Sequence, residues 1–80
     1  MRYYFDIQDG TDLARDDIGV DCRSAYAARV EATRALTDMA SDYFPTDGNH
    51  RNIAIHVRSA NAALFTVNLK YDVVSEGDPP

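Results

Sequence analysis

Polar and apolar residues alternate from Arg2 to Asp9, with Tyr3, Phe5 and Ile7 on one face of an extended segment and Tyr4, Asp6 and Gln8 on the other. This is the pattern of a half-buried strand. Asp9-Gly10 is a turn dipeptide, and Asp12 to Arg15 can return beside the first strand as a weaker second one. Asp16 and Asp17 before Ile18-Gly19 predict another turn, with Gly19 free to take a positive φ and Val20 placed to add a bridge. From Ala25 to Phe44 the alternation gives way to Ala and other good helix formers, and the hydroxyl of Ser24 is suited to cap that helix. At about 100° per residue, Ala25, Ala28, Ala32, Ala35, Leu36, Met39 and Tyr43 fall on one stripe, which is expected to face the sheet. Pro45 and then Asp47-Gly48-Asn49 end the helix near Phe44.

Alternation resumes from Arg51 to Arg58, with Ile53, Ile55 and Val57 inward and Ala54, His56 and Arg58 outward. Ser59 to Ala62 is a tight turn in which Asn61 is expected in the left-handed region. The last strand runs from Ala63 to about Val73, with Phe65, Val67, Leu69 and Tyr71 inward. The expected fold class is α+β, in the order ββαββ: a four-stranded antiparallel sheet with one helix on one face and the strand order 2-1-3-4. Residues 1–74 form a single domain on this reading, and 75–80 a disordered acidic tail.

The segments RYYFDIQDG, DDIG, AARVEATRAL followed by MA, NIAIHVR and LFTVNL together resemble a family of short bacterial proteins found in rhizobia and related alphaproteobacteria and defined only as a domain of unknown function. The resemblance covers most of the chain and implies the same ββαββ order. It brings no activity, ligand or catalytic residue. Members often have an acidic-Gly turn between the last two strands, where this chain has Ser59-Ala60-Asn61.

Composition narrows the function classes. In 80 residues there are 8 Lys and Arg against 13 Asp and Glu, with a single Cys, so no internal disulfide can form and apolar packing must hold one small core. The opening residues lack the basic and apolar regions of a secretory leader, and no apolar run is long enough to span a bilayer. A cytoplasmic protein without a membrane partner is therefore expected.

Candidate chemistry is sparse. Asp9, Asp12, Asp16, Asp17 and Asp21 are acidic enough to suggest a hard cation, but no window has the ligand spacing of a calcium loop, and turn formation explains them. His50 and His56 do not share the helical spacing of a zinc pair, so no metal is expected. His56 or Arg58 can pair across strands with Asp6 as ordinary surface chemistry. Cys22, just before the helix, could be a reactive thiolate, but neither His is near it in sequence. No Gly-rich phosphate loop or nucleophile elbow is present, so neither catalysis nor a cofactor is expected.

Apolar surface is the more useful signal. Tyr26, Val30 and Phe44 lie on the helix flank, and Tyr4 and Leu64 on the sheet's open face, forming a candidate interface. The last strand is also long enough to leave an unpaired edge. The expected function is a non-catalytic protein-interaction module that self-associates, its partner being itself or another protein. The alternative is a weak nucleic-acid-binding or regulatory protein using the basic residues His50, Arg51, Arg58 and Lys70, a thin patch on an acidic chain.

Overall fold

The computed structural model describes residues 1–43, 50–74 and 76–77. The elements are β1 (Arg2–Asp9), β2 (Asp12–Ala14), β3 (Val20–Asp21), α1 (Ala25–Tyr43), β4 (His50–Arg58) and β5 (Ala63–Asp72). The sheet is antiparallel and five-stranded. Its main path is β2-β1-β4-β5, and β3 pairs with β1 off that path. The expected count of four strands, and the order built on it, are corrected by β3: Val20 pairs with Tyr3 and Asp21 with Arg2. The Cys22 amide extends this pairing by donating to the Met1 carbonyl at 2.9 Å. The acidic turn that separates β2 from β3 therefore interrupts a return path along β1 without ending it.

Strand β1 is central because it pairs with β4 from Tyr4↔Arg58 to Asp9↔Ile53. Strand β4 in turn pairs with β5 from His50↔Asp72 to Arg58↔Ala63, with a bulge between Val57 and Arg58. The turn joining β4 to β5 differs from expectation. Among the described residues no non-glycine residue has a positive φ, so Asn61 is not left-handed. The Ser59 hydroxyl holds the turn instead, accepting from the amides of Asn61 at 3.3 Å and Ala62 at 3.1 Å. Gly10 and Gly19 do take positive φ, at 61° and 77°.

Ser24 caps α1 as its sequence suggests, its hydroxyl accepting from the Ala27 amide at 3.1 Å. The helix packs on β4 and β5. Ala28 and Ala32 are 0% exposed and Leu36 2% exposed, and they meet Ile53, Ile55 and Val57 with Tyr3 and Cys22 to form the core. Met39 is half-buried against it. Ala25 and Ala35, expected in the same stripe, are exposed. A rod seated on two strands touches them along a narrower line than a full apolar stripe, so the stripe's margins stay in solvent. The helix terminus near Phe44, the following turn and most of the tail lie outside the described residues.

Candidate functional site

The open face of the sheet holds an unusual group, because Asp6 is only 6% exposed and is the buried charged residue of the described chain. Its position follows from the register: Tyr4 pairs with Arg58 and Asp6 with His56, so the Arg58 side chain reaches Asp6 on the diagonal. Arg58 donates from Nε to Asp6 Oδ2 at 2.8 Å and from Nη2 to Oδ1 at 3.3 Å. Its Nη2 also donates to the Asp16 carbonyl at 2.8 Å, and the guanidinium lies 4.6 Å from the centre of the Tyr4 ring. Asp6 Oδ1 accepts in addition from the Asp16 amide at 2.9 Å.

The Asp16 side chain continues the group. Its Oδ2 accepts from the Phe5 amide at 3.0 Å, and its Oδ1 from the amides of Ile18 and Gly19, both at 3.0 Å. A side-chain carboxylate thus serves β1 in the gap between β2 and β3, where no backbone carbonyl is in place. The Arg58 hydrogen bond holds the Asp6 carboxyl below the usual range against the opposing effect of burial, helped by the Asp16 amide. For Asp16, burial pushes upward, but the amides of Gly19, Phe5 and Ile18 and the charge of Arg58 outweigh it and the carboxyl is also lowered. Among the described residues no buried side-chain nitrogen or oxygen lacks a hydrogen-bond partner. A closed clamp of this kind positions the acidic loop against β1.

A second polar chain crosses the same face. His56 Nε2 lies 2.6 Å from Gln8 Oε1 and its Nδ1 2.8 Å from Thr66 Oγ1. The Gln8 amide nitrogen donates to the Gly10 carbonyl at 3.1 Å. The ring thus links β1 to β5 across β4. Both ring nitrogens are engaged. Cys22 belongs to the core on the other side of the sheet, so His56 does not serve it as a base.

The remaining sequence candidates are dispersed. Arg51 is paired with Asp9, donating from Nε to Oδ1 at 3.1 Å and from Nη2 to Oδ2. Lys70 is exposed with its Nζ 3.8 Å from Asp72. The structure thus brings an acidic partner to Arg51, to Arg58 and to Lys70. The side chain of His50 lies outside the described residues. Of the acidic group, Asp9 and Asp16 are engaged as above and Asp21 takes the Met1 amino group at 3.0 Å. Among the described residues no three His, Cys, Asp or Glu side chains converge as a metal site. No helix of the structure is long and apolar enough to cross a membrane.

The interface candidates fall on two sides. Tyr4 is half-buried under Arg58 and Leu64 is exposed, both at one end of the open face. Tyr26 is 65% exposed on the helix flank, its ring 5.0 Å from the Arg29 guanidinium carbon. Val30, one turn further along that helix, is half-buried, and Phe44 lies outside the described residues. Between the flank and the sheet edge runs an apolar groove of about 450 Å³, lined by Ala25, Tyr26, Arg29, Phe65, Thr66 and Val67. That groove borders β5, whose outer side pairs with no strand among the described residues. The groove is what sequence reasoning missed; the exposed Tyr26 and the long last strand were its two separate signals.

No curated protein and no solved structure is similar enough to match this chain. One family model does match, over residues 2–70, which takes in the central strand, both halves of the Asp6–Arg58 clamp, the helix and most of β5. The chain belongs to that family, the domain of unknown function DUF6894.

Proposed function

We propose that this protein is a non-catalytic interaction module that self-associates. The observation supporting this reading is the β5 edge: a ten-residue strand at the end of the sheet, with half-buried Phe65, Val67 and Leu69 on its inner face and the Tyr26 groove beside it. Unpaired backbone donors and acceptors next to apolar surface favour the addition of another strand. The polar groups of the open face are occupied by each other, which leaves exterior contacts as the means of action. The test is the molar mass in solution, measured by size-exclusion chromatography with light scattering over a range of concentrations. A mass rising toward twice that of the chain is expected, with Tyr26→Ser weakening the rise. A mass equal to one chain at every concentration overturns the proposal.

A further inference from the structure

We infer that the occupant of the β5 edge is a second copy of this chain, paired antiparallel about a twofold axis through Asn68; the inference rests on the self-association proposed above and specifies its geometry. The register follows from the ladder. The Phe5 amide faces Asp16, on the side of β1 away from β4, so by alternation Tyr4, Asp6 and Gln8 are the β1 residues whose backbones bond to β4. Carried across β4, the same alternation directs the backbones of Phe65, Val67 and Leu69 to β4, and those of Thr66, Asn68 and Lys70 to the free edge. Two copies can bond only by matching outward-directed residues with one another.

Few registers satisfy that condition. Centring the pair on Thr66 or Val67 draws Leu64 into the ladder, where the bulge has broken regular edge geometry. Centring it on Lys70 sets two ammonium groups directly opposite each other, and centring it on Leu69 leaves them two residues apart and sets Phe65 opposite Val73, beyond the end of β5. Centring it on Asn68 matches Asn68 with itself and Thr66 with Lys70 of the second copy, giving about six backbone hydrogen bonds. It separates the two lysines by four residues along the strand, roughly 14 Å.

The inner face fits the same register. Val67 meets Leu69 of the second copy and Phe65 meets Tyr71, so apolar side chains from one strand enter the groove under Tyr26 of the other. Each copy supplies both the groove and the residues that fill it. That reciprocity selects a second copy over an unrelated strand.

Single cysteines introduced on β5 provide the test. Cys22 is buried and free, so the unaltered chain is the background control. Asn68→Cys is expected to give a disulfide-linked dimer under mild oxidation. Thr66→Cys and Lys70→Cys, with their thiols far beyond the ~7 Å Cα limit from their own counterparts, are expected to give none. The double variant Thr66→Cys with Lys70→Cys is expected to link. All three positions are exposed, and circular dichroism checks that each variant is folded. A chain that is dimeric by mass but links through Thr66→Cys or Lys70→Cys alone, or fails to link through Asn68→Cys, overturns the register and leaves self-association standing. A strictly monomeric mass overturns both.

Discussion

Gly10 and Gly19 share a left-handed backbone conformation but have different surroundings, and the contrast makes a quantitative prediction. A Cβ at Gly10 meets nothing within 4 Å. Alanine there should cost only the left-handed penalty, about 1–2 kcal/mol. A Cβ at Gly19 lies 2.9 Å from Arg2 Cγ, 3.0 Å from the Tyr3 carbonyl oxygen and 3.0 Å from Tyr4 Cε2. Arg2 cannot swing aside without loss, since its Nη1 donates to the Ile18 carbonyl at 2.7 Å, and the Tyr3 oxygen is backbone of the central strand. Overpacking adds about 1–3 kcal/mol, so Gly19→Ala should lose about 2–5 kcal/mol in all. For a domain of this size each kcal/mol corresponds to about 4–8 °C in Tm. Urea and thermal unfolding of both variants, followed by circular dichroism, would measure the difference. Adding Arg2→Ala to Gly19→Ala should recover only part of the loss, because the Tyr3 oxygen stays in place. Equal destabilisation at the two glycines would refute the close approach of the acidic loop to β1.

Two further predictions concern the core and the clamp. Ala32→Leu should cost about 1–3 kcal/mol by overpacking, whereas Ala35→Leu, on the exposed margin of the same helix, should stay within about 0.5 kcal/mol; urea midpoints of the pair distinguish a seated alanine from a marginal one. Because the folded-state pKa values of Asp6 and Asp16 lie below the ordinary value of 3.8, their contribution is complete above that value and is lost as pH falls through the lowered ones. Unfolding midpoints should therefore drop steeply in acid below pH ~4, and Asp16→Asn should be less stable at neutral pH with a shallower acid slope. An unchanged slope in that variant would remove Asp16 from the account.

The three long strands and the helix were legible because each has one dominant period, and Ser24 because a cap needs only its own hydroxyl and the next turn. The two-residue β3 was legible only as a bridge at Val20, since Val20 and Asp21 acquire strand character only from Arg2 and Tyr3. Asp6 looked like an outward polar residue of a half-buried strand. Its burial depends on Arg58, more than fifty residues away, and on a loop whose path no local pattern encodes. The pairing itself was foreseeable; its enclosure was not. The same limit applies to Ala25 and Ala35, where helical periodicity specifies a direction but not how wide a surface the sheet presents.

Placing β1 between β2 and β4 has a kinetic consequence. An interior strand is the first of this sheet to be synthesised, yet the neighbour that completes it begins at His50. Until that neighbour arrives, β1 has only the exposed β2 and the short β3 beside it, while β4 and β5 can zip together through a local turn. Joining the two halves requires closing a loop of more than forty residues, an entropic cost that slows folding relative to a helical bundle of equal length. The step that sets the folding rate should then be the docking of the amino-terminal ribbon onto a preformed carboxy-terminal hairpin.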